Sequence, residues 1–160
     1  KEKYREVYNL FLDADIVLFN NDIKSSKDKN LLAKMDLIKA RLLLKMFTKE
    51  LYASNFQFEF TKAGTVMNLN DKNYINNLKN IQQALDKTVQ DMEKLDEKII
   101  EKENFNPAKY KEIIAEMKNM STYLKEIITR FEKMDYKEIM QIITEFTIRN
   151  YLVERAIETL

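Results

Sequence analysis

The chain has 160 residues, of which 45% are hydrophobic and 33% are charged, and its 27 basic and 26 acidic side chains leave a net charge of +1. This composition excludes a disordered chain, and the longest aliphatic or aromatic run, Ile16 to Phe19, is far shorter than the ~20 residues of a membrane-spanning helix. The nearly balanced charge, alternating in sign along most segments, argues against the concentrated basic surface of a nucleic-acid-binding protein.

Glycine and proline are almost absent, with one of each in the whole chain. Few turns are then available, so the sequence favours an all-α fold, a single compact bundle of about five helices over residues 1–160. The first predicted helix covers about residues 2–20 and is apolar around much of its circumference. A polar loop, about 20–30, separates it from the second, about 29–53. The second helix is predicted to bury a stripe formed by Leu31, Met35, Ile38, Leu42 and Met46, flanked by Leu44, Phe47 and Leu51.

The next three predicted helices are long, antiparallel neighbours with heptad-spaced apolar residues, at about 71–103, 107–134 and 136–158. Asn106 and Pro107 fit the cap and first position of a helix, with Phe105 and Tyr110 as a hydrophobic staple. The pattern predicts a second capping box from Asp135 and Glu138, with a staple from Met134 to Ile139. The predicted seam residues are Tyr74, Leu78, Ile81, Leu85, Thr88, Met92, Leu95 and Ile99, then Tyr110, Ile113, Met117, Met120, Leu124, Ile127, Phe131 and Met134, then Ile139, Ile142, Phe146, Val153 and Ile157.

Catalysis is not expected, because the chain has neither histidine nor cysteine. Their absence excludes Ser–His and Cys–His nucleophiles, the usual zinc sites and disulfides. A single glycine cannot build a phosphate-binding loop. The remaining carboxylates, such as Asp13 and Asp15, do not converge on one ion, so we expect no catalytic residue, no metal site and no cofactor.

The segment from Ser54 to Asn70 interrupts the helical period and is long for a connection within a bundle. Three phenylalanines alternate with polar residues at its start. One interpretation is that they fill one end of the bundle; the other is that they form an aromatic contact for a protein partner. The candidate protein-binding residues are Phe56, Phe58, Glu59, Phe60 and Lys62.

A cysteine-free helical domain of this size, rich in Lys, Asn and Ile, resembles the surface lipoproteins of Borrelia-type spirochaetes. The resemblance covers the composition of the whole chain and includes no specific motif. It implies an ectodomain at the cell surface that binds a host serum protein, such as the complement regulator factor H. It also implies a lipidated cysteine upstream of Lys1 as an outer-membrane anchor.

Two other classes remain open from the sequence. The heptad seams would also suit a cytoplasmic helical adaptor, assembly factor or secretion chaperone that pairs with another chain by coiled-coil contacts. A bundle lined by Met and Phe would suit a carrier of an apolar ligand. The sequence leaves the oligomeric state undetermined.

Overall fold

A computed structural model describes residues 31–52, 56–61, 64–69 and 72–160, with side chains described for 31–51 and 73–160. The first predicted helix, the loop 20–30, Asp13, Asp15 and Lys62 lie outside the described residues. The described elements are five helices and two strands, namely α1 (Leu32–Tyr52), β1 (Phe56–Thr61), β2 (Gly64–Leu69), α2 (Lys72–Glu93), α3 (Glu97–Lys102), α4 (Pro107–Glu132) and α5 (Ile139–Glu158).

The four longer helices pack as a compact up-and-down bundle. Side-chain pairs between α2 and α4 run in opposite directions along the chain, from Lys79–Glu132 (3.1 Å) at one end to Lys118–Glu93 (2.6 Å) at the other. On the other side, the rings of Phe47 and Phe146 meet edge to face at 5.6 Å between centroids and join α1 to α5. The expected all-α bundle with antiparallel neighbours is therefore confirmed.

The segment 54–70, which the sequence left as an irregular connection, contains a β-hairpin. Its strands β1 and β2 pair antiparallel, with Phe56 opposite Leu69, Phe58 opposite Met67 and Thr61 opposite Gly64. Among the described elements, each strand has its extensive contacts with the other strand and not with a helix. The bundle thus carries a small β element in the connection between α1 and α2.

The buried stripe of α1 differs in phase from the predicted one. Its buried residues are Ala33, Leu37, Ala40, Leu44, Phe47 and Leu51, at spacings of four and three. Of the five residues predicted as the stripe, Leu42 is buried, whereas Leu31, Met35, Ile38 and Met46 are half-buried. Two small alanines were overlooked because they carry little hydrophobic weight, yet they allow close approach of the neighbouring helices.

The start of α1 is capped by a distant side chain. Leu31 precedes the helix and has no side-chain acceptor, so the Glu103 carboxylate accepts hydrogen bonds from the Ala33 N–H (2.9 Å) and the Lys34 N–H (3.0 Å) instead. The Tyr110 hydroxyl donates to the Ala33 carbonyl oxygen at 2.9 Å. These bonds satisfy free amides of the first turn and fix α1 against the α3–α4 joint.

The single helix predicted over 71–103 is in fact two helices. The chain leaves α2 after Glu93 and starts again at α3, where the Asp96 side chain accepts a hydrogen bond from the Lys98 N–H at 3.2 Å. The break moves the buried position from the predicted Ile99, which is half-buried, to Ile100. Helix α3 then ends at Lys102, and Asn104 just beyond it has a left-handed φ of 65°, which suits the short amide side chain of asparagine.

The predicted cap of α4 is confirmed. The Asn106 side chain accepts a hydrogen bond from the Lys109 N–H at 3.2 Å, and Pro107 is the first residue of the helix. The rings of Phe105 and Tyr110 stack with centroids 5.9 Å apart, as expected for a hydrophobic staple.

The predicted cap of α5 is wrong. The helix begins at Ile139 rather than near 136, after Glu138 with a left-handed φ of 62° and no side-chain cap. Asp135 accepts a hydrogen bond from the Lys137 N–H, and Met134, just beyond the end of α4 at Glu132, has a left-handed φ of 53°. Met134 is therefore turned to solvent, 71% exposed, and belongs neither to the seam nor to a staple.

Candidate functional site

The candidate binding residues of the sequence lie in and beside β1. The structure places Phe56, Phe58, Glu59 and Phe60 in this strand, where Glu59 pairs with Val66 and Phe60 with Thr65 across the ladder. Alternate residues of a strand belong to the same face, so the three phenylalanine positions form one row and Glu59 belongs to the opposite row. The hairpin therefore separates an aromatic row from a polar row, whereas the sequence prediction treated all five residues as one patch.

Each hairpin strand also has an outer edge. Within the part of the chain that the structure describes, the sheet has only these two strands, so the outer backbone N–H and C=O groups of each strand have no further strand to pair with. Such edges accept an added strand from a partner, and side chains of alternating faces then supply specificity. The sequence signal for β1 was the Phe-Gln-Phe-Glu-Phe alternation, but β2 lacks an equally clear pattern.

A second surface, on α5, was missed by the sequence prediction. Ile148, Tyr151 and Leu152 are 56%, 60% and 58% exposed on the side of α5 that faces away from the core. The predicted stripe used other residues of this helix, of which Ile139, Phe146, Val153 and Ile157 are buried as expected. Helix α5 thus has apolar residues on two sides, and the structure was needed to show which side is inside.

A polar network crosses the interface of α2 and α4. The Gln82 side-chain amide donates to the Asp86 carboxylate at 2.7 Å and to the Ser121 hydroxyl at 3.3 Å. Ser121 in turn donates to Asp86, and the Lys125 ammonium lies 3.0 Å from the same carboxylate. Burial raises the pKa of Asp86, but the hydrogen bonds from Ser121, Lys125 and Gln82 outweigh burial and hold its pKa below the usual value.

This network indicates a structural rather than a chemical role. The aspartate is stabilised as a carboxylate by three donors, and its oxygens are occupied by them. A nucleophilic serine needs a base that accepts its proton at neutral pH, and a carboxylate with a lowered pKa is a weak base. The network fixes the register of two helices at a point where both would otherwise be apolar.

A group of three acidic residues, Asp36, Asp91 and Glu103, lies near the start of α1. Partial burial, chiefly, together with the nearby carboxylates of Asp91 and Glu103, raises the pKa of Asp36 to about 6, although Lys39 acts in the opposite direction. Burial, together with the carboxylates of Asp36 and Glu103, raises the pKa of Tyr110 as well, so its hydroxyl stays protonated and donates to Ala33. The group is therefore sensitive to pH near neutrality.

The described side chains offer little to bind an ion. Among them, no three His, Cys, Asp or Glu residues are grouped so that they could hold a metal. A cleft of about 340 Å³ between α4 and α5 is bordered by Tyr123, Arg130, Glu126, Glu138 and Glu145. Its lining combines these charged groups with apolar surface.

No described helix is both long enough and apolar enough to cross a membrane. The fold and these surfaces define an all-α bundle with a β-hairpin inserted between two of its helices. Comparison of the chain with protein-family models, with curated proteins and with solved structures found no match.

Proposed function

We propose that the protein is a non-enzymatic, protein-binding domain displayed on a bacterial cell surface, and that it binds a host serum protein such as the complement regulator factor H through the β1–β2 hairpin. The observation that carries this proposal is the hairpin itself. Among the described elements it lies between helices, and its strands contact each other extensively and no helix to the same extent. A bundle needs only a connection at this point, whereas a hairpin adds two outer strand edges whose unpaired backbone groups are a liability for a protein.

The residues of the hairpin favour a macromolecular partner. Phe56, Phe58 and Phe60 form one row, and aromatic side chains supply much of the binding energy in protein interfaces. Glu59 and Lys62 add charges of opposite sign, which set orientation and association rate more than affinity. The paired lysines and glutamates that cover the helices are instead depleted at the centres of interfaces.

Binding without catalysis is supported by the side chains that the chain lacks. With no His and no Cys in 160 residues, the common nucleophilic and acid–base systems have no members. The surface location is supported by the compositional resemblance to spirochaete lipoproteins. A reading frame that extends upstream of Lys1 without a signal peptide and a lipid-accepting cysteine would contradict the surface location.

The test exchanges two charges of the hairpin, in the double variant Glu59→Lys with Lys62→Glu. Net charge is unchanged, and we expect the association rate constant with purified factor H, measured by surface plasmon resonance, to fall about tenfold or more and binding to weaken, with an unchanged melting temperature. The matched control is Glu97→Lys with Lys111→Glu, which reverses an exposed ion pair between α3 and α4 and should bind like the parent.

The outcomes separate the parts of the proposal. If the parent does not bind factor H, the named partner is wrong. If the parent binds, and the hairpin variant binds equally well and melts like the parent, then the hairpin is not the binding site.

A cytoplasmic adaptor is the alternative function, but the sequence argument for it no longer applies. Its support was pairing of the heptad seams between chains, but Leu78, Leu85, Met117 and Leu124 are fully buried within this chain. An adaptor would have to use another surface. Protection of the native protein from protease added to intact cells would favour this alternative over display at the surface.

A further inference from the structure

The solvent-facing side of α5 carries a second heptad seam. Beside the buried stripe, six exposed residues follow one another at spacings of four, three, four, three and four, which is the repeat of a helix that packs against another helix. We call them the outer seam: Gln141, Glu145, Ile148, Leu152 and Arg155 of α5, and Thr159, the cap residue directly after its end.

The outer seam is apolar at its centre and charged on either side. Ile148 and Leu152 are more than half exposed, although burying such a side chain is worth ~1.5–3 kcal/mol. In the order of the outer seam, Glu145 directly precedes this apolar pair and Arg155 directly follows it. All four of these side chains are exposed to solvent in the single chain.

The order of residues in the outer seam is complementary to itself when reversed. If two copies of α5 lie antiparallel about a two-fold axis at position 150, Ile148 of one copy faces Leu152 of the other. Glu145 then faces Arg155, twice, because a two-fold interface repeats each contact. Gln141 and Thr159, both able to form hydrogen bonds, face each other at the ends.

The residues beside the outer seam are compatible with this pairing. Tyr151, which is 60% exposed, flanks the apolar centre on one side and lies close to the two-fold axis. On the other side, the Arg149 side chains of the two copies would approach each other, but each is held against α4 of its own chain. Its guanidinium lies 5.6 Å from the centre of the Tyr123 ring and 3.9 Å from the Glu116 carboxylate.

We propose that the outer seam of α5 is a homodimer interface, in which two copies of the chain pair their last helices antiparallel with Glu145 opposite Arg155. The occupant is a second copy of this chain, because a reversed copy of the same helix matches both the apolar centre and the charges. The interface is on a different element from the hairpin, so dimerisation and partner binding are independent properties.

The test is a charge-exchange series measured by sedimentation velocity, over about 1 to about 100 µM protein. The parent should shift from the 19.1 kDa monomer toward twice that mass within this range. Glu145→Arg alone and Arg155→Glu alone each place like charges at both contacts, and each should raise the dissociation constant about tenfold or more.

Two combinations then restore the pairing. The double variant Glu145→Arg with Arg155→Glu exchanges the charges within one chain and should dimerise like the parent. A mixture of the two single variants should form mixed dimers, because opposite charges then meet at both contacts although neither variant pairs with itself. Glu101→Arg, with the same charge change at an exposed position on α3, is the matched control and should dimerise like the parent.

Leu152→Glu tests the apolar centre and should leave a monomer with an unchanged helical content, because the residue is exposed in the single chain. A parent that stays monomeric at about 100 µM would overturn the proposal. So would a dimer that survives both single charge variants, or one that the double variant and the mixture fail to restore.

Discussion

Two partly buried aspartates show how neighbours decide the charge of a side chain. Burial acts on Asp86 and Asp36 in the same direction, because removal from water disfavours a carboxylate. Asp86 has three donors, from Ser121, Lys125 and Gln82, and its pKa is lowered. Asp36 has acidic neighbours instead, and its pKa is raised. The first is a stable ionised anchor between helices, and the second is ionised at neutral pH at a cost to stability.

Because ionised Asp36 destabilises the folded state, replacing it should raise the free energy of unfolding in a pH-dependent way. A carboxyl with a pKa of about 6 when folded and 3.8 when unfolded binds protons more tightly in the folded state. Its contribution to stability is therefore greatest below pH 4 and is lost as pH rises through 6. Asp36→Asn should stabilise the protein at pH 8 by about 1 kcal/mol, a value reduced for solvent screening of a partly exposed group.

Urea unfolding of Asp36→Asn and of the parent at several pH values measures this difference. The two stabilities should converge between pH 6 and pH 4, since the parent's carboxyl becomes neutral there. Glu101→Gln serves as control for the loss of one carboxylate at an exposed position. A difference between Asp36→Asn and the parent that stays constant with pH would contradict the assignment.

Residues at helix ends mark the limit of prediction at this scale. The cap at Asn106 and Pro107 was predictable because the motif is local in sequence. The cap of α1 was not, because its acceptor, Glu103, is 70 residues away. The failure at α5 came from Met134 and Glu138, whose left-handed backbone no residue preference would suggest. Local motifs are readable, whereas caps supplied by tertiary contacts are not.

At the scale of elements, the heptad pattern predicted packing more accurately than helix boundaries. Leu78, Leu85 and Met92 are buried in α2 as expected. Thr88, a polar interruption of this seam for which the sequence favoured a half-exposed edge position, is buried instead, and its hydroxyl donates to the Ala84 carbonyl oxygen at 2.9 Å. The break before α3 escaped prediction because Leu95 and Ile99 continue the same spacing through it. Heptad periodicity identifies the buried face of a helix, but it does not detect a turn across which the same spacing of apolar residues continues.

The seam and the cap should differ in their contributions to stability. Leu85 and Ile127 are fully buried in α2 and α4, so replacing either by alanine leaves a cavity and should cost ~2–5 kcal/mol. Replacing Asn106 and Pro107 by alanine removes one exposed hydrogen bond and a favourable first residue, and should cost ~1 kcal/mol. Urea unfolding monitored by circular dichroism compares them, and a larger loss at the cap would mean that the seam is assigned wrongly.

At the scale of the whole molecule, the sequence predicted the bundle but neither of its candidate interaction surfaces in full. The near absence of glycine and proline, with one of each, together with long apolar periods, was sufficient for the fold class. The alternation around Phe58 was visible, yet its pairing with Met67 required the structure, because strand pairing is not local. The outer seam of α5 was hidden for another reason. Ile148 and Leu152 are ordinary core residues by type, and only packing shows that they are outside.

One continuous apolar core predicts one cooperative unfolding transition for the chain. The buried cluster includes residues from every described helix, such as Phe47 of α1, Leu78 of α2, Ile100 of α3, Phe131 of α4 and Phe146 of α5. Separate loss of one helix would expose part of this cluster, so intermediates should be sparsely populated. Because the chain lacks the His and Cys of structural metal sites, chelation should leave the transition unchanged.

Calorimetry and circular dichroism test this expectation together. The calorimetric enthalpy should equal the van't Hoff enthalpy, and the midpoint should be the same with and without EDTA. Tyr110 is fully buried where α4 meets α1 and its hydroxyl donates to Ala33, so its near-ultraviolet signal should vanish at the same temperature as the helical signal. Two separated transitions would show that residues 1–160 are not one domain, and a lower midpoint in EDTA would show that a metal contributes to stability.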